Sequence, residues 1–60
     1  MNEPRTDAEF KAALTSLRHA VHEIDEGEYC VQNMDTGAET LLDADDYSSA
    51  LFEAWHLVRD

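Results

Sequence analysis

The chain has 60 residues with 14 acidic and 4 basic side chains, a formal net charge of -10 at pH 7 with histidine neutral. This excess excludes direct binding to nucleic-acid phosphates, which requires clustered Lys and Arg, and argues against adsorption to anionic membranes. The length allows one small hydrophobic core, while 43% hydrophobic residues are too many for a disordered acidic tail. We therefore expect one folded domain spanning residues 1–60.

The first predicted element is an amphipathic helix from about 7 to 25. Thr6 and Glu9 fit a capping box, in which the N-cap and N3 residues exchange side-chain and backbone hydrogen bonds. Apolar residues then recur at steps of four and three, which is typical of a helix with one buried face. These residues are Phe10, Leu14, Leu17, Val21 and Ile24. Gly27 suits the left-handed position that follows a helix.

A β-hairpin is predicted after this helix. Tyr29 and Val31 favour a strand at about 28–34, and a return strand is predicted at about 38–42. The segment 35–37, Asp-Thr-Gly, is typical of a short turn, because its glycine accepts the left-handed backbone conformation that such turns use.

A second helix is predicted from about 44 to 59. Asp43 suits its N-cap, and Asp45 and Asp46 fall in the first turn, where the helix dipole favours carboxylates. Most apolar residues of this segment form one broad face, whereas Phe52 falls outside it. The predicted fold class is α+β, in the order α-β-β-α, with two helices packed on a two-stranded antiparallel hairpin.

The negative charge is segregated along the chain. Residues 19–58 contain ten acids and neither Lys nor Arg, whereas acids and bases balance in residues 1–18. In the predicted order, both strand ends next to the helices and the adjoining helix ends lie at one end of the fold. Seven carboxylates meet there: Glu23, Asp25, Glu26, Glu28, Asp43, Asp45 and Asp46. We call this group the acidic pole.

The predicted position of three pole residues makes the pole a candidate functional surface. Glu23, Asp25 and Glu26 fall at the predicted C-terminal end of the first helix, where the dipole disfavours each acid by roughly 0.3–1 kcal/mol at low salt. Mutual repulsion adds to this cost. An arrangement that lowers stability without local compensation is expected to serve a function.

The size, charge and segregation of the chain resemble those of small acidic phage-encoded inhibitors, a class that includes nucleic-acid mimics and anti-CRISPR proteins. The resemblance covers residues 19–58, where carboxylates two apart on a strand or four apart on a helix are separated by roughly 6–7 Å, similar to successive phosphates. It implies a non-enzymatic module that occupies a basic nucleic-acid-binding surface of a partner protein. The resemblance assigns no residues. The charge distribution predicts the acidic pole as the contact surface, with Phe52 as an apolar anchor, and association is expected to be fast and salt-dependent.

Other interpretations stay open at this point. An acidic surface with little lysine is also typical of a small regulatory or structural domain from a salt-rich cell. A second resemblance, over about half of the chain, is to HicB-type antitoxins and implies a toxin partner. It is carried by Tyr29, Val31, Asp35, Gly37, Thr40, Ser49, Ala50, Leu51 and Ala54. A second copy of the chain is a further candidate partner, with Phe52 or Trp55 in the contact.

No set of residues predicts catalysis, a cofactor or a metal site. The segment 35–38, Asp-Thr-Gly-Ala, resembles the active-site loop of retroviral-type aspartic proteases, but the apolar segments that this family needs around the loop are missing. His19, His22, Glu23 and Glu26 have helical spacings suited to metal ligation, yet no second ligand pair accompanies them, so a solvated helix face is predicted. The prediction is therefore a non-enzyme without cofactor or metal.

The expected location is the cytoplasm, which means the host cytoplasm for a phage-encoded protein. Cys30 is the only cysteine, which favours a reducing compartment, and we interpret it as a small apolar strand residue. The first residues lack the pattern of a signal peptide, and no apolar run has the length of a membrane span.

Overall fold

The computed structural model describes residues 3–59 as two helices and a three-stranded antiparallel sheet. The elements are α1 Asp7–Ser16, β1 His19–Asp25, β2 Glu28–Asn33, β3 Glu39–Leu41 and α2 Tyr47–Val58. The α+β class is confirmed, but the predicted order lacks one strand, and the sheet has three strands in the order β1-β2-β3. The predicted domain, 1–60, includes Met1, Asn2 and Asp60, which lie outside the described residues.

The predicted helix at 7–25 is wrong in its second half. Its start is confirmed: the Thr6 hydroxyl accepts the Glu9 N–H at 3.2 Å, and the Glu9 carboxylate accepts the Thr6 N–H at 3.1 Å. The helix ends at Ser16, because Arg18 adopts a left-handed conformation with φ of 62°. A non-glycine residue in this conformation is uncommon, and nothing in the local sequence indicated that the chain would turn here.

Strand β1 occupies the predicted end of the helix. Its valine, isoleucine and histidines are weaker helix formers than the alanines and the leucine of α1, and β-branched residues favour strands. Val21 lies opposite Val31 of β2 and packs against the core. An apolar residue therefore suits this position in the observed strand as well as in the predicted helix. Gly27, predicted to follow a helix, lies instead in the β1–β2 turn with φ of 73°.

The second hairpin agrees with the prediction. Strands β2 and β3 lie within the predicted ranges 28–34 and 38–42, and Gly37 has φ of 79° in the turn between them. The Asn33 side-chain oxygen accepts the N–H groups of Asp35 and Thr36 at 2.8 and 3.2 Å. This local hydrogen bonding fixes the turn.

The helices pack on one face of the sheet and leave part of it uncovered. The core consists of Leu14, Tyr29, Val31, Leu42, Ala50, Leu51 and Ala54. Helix α1 contacts β1, and α2 contacts β1 and β2. Among the described residues, neither helix contacts β3, and Leu41 of β3 is 72% exposed. The helical layer is therefore shifted toward β1, which leaves β3 at an open side of the domain.

Candidate functional site

The structure brings the seven carboxylates of the acidic pole to the same end of the sheet. The β1–β2 turn and the β3–α2 connection both lie at this end, because β3 runs antiparallel to β2. A Cβ atom added at Gly27 in the first segment would lie 4.0 Å from the Asp45 carbonyl oxygen in the second. All seven pole residues are exposed. The two segments together form one acidic surface, with an open cleft of about 340 Å³ between them.

Three of these carboxylates lie on other secondary-structure elements than predicted. Glu23 and Asp25 end strand β1, and Glu26 lies in the turn that follows, so none of them opposes a helix dipole. The dipole cost expected from the sequence is therefore absent. What remains is mutual repulsion among exposed carboxylates in a segment, 19–58, that has no Lys or Arg.

Tyr29 lies where the two acidic segments converge. Its side chain is 9% exposed, and its ring packs against Tyr47 with a centroid separation of 6.2 Å. Burial raises the pKa of the Tyr29 phenol, and the charge of Glu23 and a hydrogen bond to it raise the pKa further. Asp46 and Asp45 act in the same direction. Carboxylates from β1 and from the residues just before α2 thus act on the same phenol.

The predicted N-cap of α2, Asp43, is wrong. Asp46, rather than Asp43, is the N-cap: its carboxylate accepts the Ser49 N–H at 2.8 Å and the Ser49 hydroxyl at 3.1 Å. These bonds stabilise the charged form and lower the pKa of Asp46. Helix α2 accordingly begins at Tyr47, later than the predicted position of about 44. Asp46 therefore combines a structural role with its place in the acidic pole.

A further carboxylate, missed by the sequence reasoning, holds the β3–α2 connection. Glu53 of α2 accepts the Asp43 N–H at 3.0 and 3.1 Å with its two oxygens, and the Ala44 N–H at 3.1 Å. Hydrogen bonds to a charged acceptor are stronger than neutral ones. The connection is thereby tied to α2, and the Asp43 side chain stays exposed. The sequence carried no signal for this contact, since it depends on how α2 is placed relative to the connection that precedes it.

The Asp46 cap leads to a prediction about acid stability. Because folding lowers the Asp46 pKa below the ordinary value of an aspartate, 3.8, the charged carboxylate stabilises the fold above that pH, and this contribution is lost as the pH falls through the folded-state pKa. Asp46→Asn keeps a capping oxygen but does not titrate. We expect its stability, measured by urea unfolding, to fall less than that of the wild type between about pH 5 and 2.5.

Asp46→Ala is the matched control for the cap itself. It removes both the cap and the titration, so it should be less stable than Asp46→Asn at pH 7. Parallel pH profiles for the wild type and Asp46→Asn would contradict the assignment.

Phe52 lies apart from the acidic pole. It is 54% exposed, and its ring packs edge-on against Phe10 at 5.9 Å and beside His56 at 4.3 Å between ring centroids. These contacts lie where α1 meets α2. Phe52 therefore belongs to a different surface from the seven carboxylates, and its predicted role as an apolar anchor is separate from theirs.

The histidine and cysteine side chains of the sheet have local partners. His22 Nε2 lies 3.1 Å from the Gln32 side-chain oxygen, across the β1–β2 pair. Cys30 is 2% exposed, its thiol lies 3.5 Å from a Glu39 carboxylate oxygen, and burial raises its pKa. Its interpretation as a small apolar strand residue is confirmed, and the structure adds that the side chain is buried. In residues 3–59, no group of three His, Cys, Asp or Glu side chains is arranged to hold a metal ion.

Comparison with models of protein families, with curated proteins and with solved structures gave no significant match for this chain. Within residues 3–59, neither helix has the length and apolar character needed to cross a bilayer.

Proposed function

We propose that this protein is a binding module whose acidic pole occupies a basic surface of a partner protein. The observation that carries the proposal is the convergence of seven exposed carboxylates from two connecting segments on one end of the sheet. No Lys or Arg occurs between residues 19 and 58, so no fixed cation of this segment neutralises the pole. Such a surface favours partners with clustered Lys and Arg.

A nucleic-acid-binding surface is the most specific version of this partner. Carboxylates two apart on a strand are separated by roughly 6–7 Å, which is comparable to the separation of successive phosphates on one strand. A folded acidic surface can therefore meet cations that are spaced to contact a nucleic-acid backbone. The concrete form of the proposal is an anti-defence inhibitor of the anti-CRISPR type, supported by the segregated charge of the chain.

The proposal is tested by retention of host proteins on the immobilised chain. A nuclease-treated lysate is applied at 50 mM NaCl, and bound proteins are eluted either with 500 mM NaCl or with a DNA duplex. We expect a retained protein that both treatments release, because its basic surface is attracted electrostatically and is shared with nucleic acid. Retention that is unchanged between the two salt concentrations would contradict the proposal, as would failure of DNA to compete.

A second candidate function is a small domain adapted to a salt-rich cytoplasm. It is favoured by one observation: acidic side chains are also exposed away from the pole, at Glu3, Asp7, Glu9, Asp35 and Glu39. This function requires folding that depends on molar salt, since screening relieves self-repulsion. A cooperative thermal transition in 20 mM NaCl would therefore count against it and in favour of a binding role.

A further inference from the structure

We propose that the free edge of β3 and the cleft beside it bind an extended segment of the partner as a fourth strand, and that this segment alternates basic and apolar residues. This inference rests on the proposed function, because it takes the partner to be basic. It adds a second contact surface, distinct from the acidic pole, and specifies the conformation of the bound segment.

The backbone of β3 offers unused hydrogen-bonding groups on its outer side. The Ala38 carbonyl accepts the Asn33 N–H at 2.8 Å, and the Leu42 N–H donates to the Tyr29 carbonyl at 2.9 Å, so these positions of the β3 segment bond to β2. In an antiparallel pair the bonded positions alternate, and the peptide groups between them point the other way. The peptide groups of Glu39 and Leu41 therefore face outward, where no strand of residues 3–59 pairs with them.

The space beside this edge is empty on the helical side of the sheet. An open cleft of about 400 Å³ lies between the sheet and the C-terminal part of α2. Val31 and Thr40 of the sheet line it, together with Ala38 just before β3, and α2 contributes Leu57, which is 52% exposed. Because neither helix contacts β3, a strand added at this edge would meet no helix beneath it.

Two exposed leucines on opposite sides of the sheet are explained by one added strand. Leu41 lies on the helix-free face and is 72% exposed, whereas Leu57 borders the cleft on the helical side. Side chains of a strand point alternately to the two faces. Alternate residues of a fourth strand would therefore lie beside Leu41 and Glu39 on one face and above the cleft near Leu57 on the other. Apolar residues would cover the cleft, and the aliphatic stems of Lys or Arg would cover Leu41 while their charged ends face Glu39.

Charge selects a basic segment over a second copy of the chain. Glu39 lies within β3, Asp43 follows the strand, and the whole segment 19–58 lacks Lys and Arg. Pairing two β3 strands would bring the acidic residues of both copies to one interface, where their mutual repulsion is destabilising. A segment with Lys or Arg beside Glu39 and apolar residues above the cleft matches both the negative charge at β3 and the apolar lining of the cleft.

The experiment uses the full chain and a peptide probe of sequence Lys-Val-Lys-Leu-Lys-Val-Lys with blocked termini. We expect about a tenfold gain in protection of the Glu39 and Leu41 amides from hydrogen exchange when the peptide is bound, since these N–H groups become bonded. Shifts of the Leu57 methyl signals should accompany this protection. Leu41→Pro removes one outward N–H without touching the pairing with β2, and we expect it to weaken binding about tenfold, while Leu41→Val should bind as the wild type does.

Two control peptides separate strand pairing from simple charge attraction. A peptide with the same apolar residues and Glu in place of Lys should not bind. The Lys peptide with methylated backbone nitrogens cannot form hydrogen bonds with the strand edge, so it should bind weakly. Equal binding of the N-methylated peptide, with amide shifts confined to the acidic pole, would overturn the fourth-strand inference while leaving the proposed function intact. Binding of the Glu peptide at the same affinity would refute the basic character of the segment. Loss of salt-dependent retention in the lysate experiment is the separate result that would refute the proposed function.

Discussion

Neutralising two carboxylates of the acidic pole, with Asp25→Asn and Glu26→Gln, should slow association with the retained partner about tenfold at 50 mM NaCl, because steering by charge acts mainly on the association rate. Both residues are exposed at the β1–β2 turn. The difference from the wild type should shrink at 500 mM NaCl, where charges are screened over a few ångströms. Association rates are measured by surface plasmon resonance or stopped flow at both salt concentrations.

A second double variant serves as the matched control for position. Glu3→Gln with Asp35→Asn removes the same number of charges from residues outside the pole, each of which forms an ion pair with an arginine. If the pole is the contact surface, this variant should associate at nearly the wild-type rate. An equal effect of the two double variants would mean that only the overall net charge matters, and the pole would lose its role as a site.

Leu14→Ala should cost roughly 2–5 kcal/mol of folding stability, because it removes a fully enclosed side chain and leaves a cavity. Leu14 is 1% exposed and belongs to the core formed by α1, α2 and the sheet. A chain of this length is expected to have a free energy of unfolding of roughly 3–9 kcal/mol, so the substitution removes a large part of it. Urea unfolding followed by circular dichroism measures the loss.

Leu41→Thr is the control for this experiment. Leu41 is 72% exposed, and threonine retains the preference for a strand, so the change in stability should stay within about 0.5 kcal/mol. A similar loss for both variants would show that the core is not organised around the helices as described. The pair also separates stability from binding, since Leu41 lies on the proposed β3 surface and Leu14 does not.

Local signals in the sequence were sufficient for two parts of the fold. The capping box of Thr6 and Glu9 and the turn at Gly37 both form as predicted, because their hydrogen bonds or backbone angles involve only neighbouring residues. The end of α1 was not predictable in this way. Val21 fits the apolar pattern of a helix and of a strand alike. The chain leaves the helix after Ser16 through Arg18, which adopts a conformation that glycine or asparagine usually adopts.

The order of the elements was enough to predict the acidic pole, although the segment that forms β1 was predicted to be helical. Asp25 and Glu28 flank a tight turn and pair with each other in the sheet, so they lie at the same end whether the preceding segment is a helix or a strand. The Glu53 contact and the open side of β3 depend on the lateral position of α2. No local pattern specifies that position, because it results from packing of the whole core.

The rate at which the Cys30 thiol is alkylated reports how often the sheet opens. Cys30 lies on the central strand, and its sulfur is enclosed although no helix covers that face. A small alkylating reagent can reach the sulfur only while the strands separate or the covering side chains move away. The labelling rate of the native protein, divided by that of the urea-unfolded chain, therefore gives the fraction of time the sheet is open, without any engineered probe.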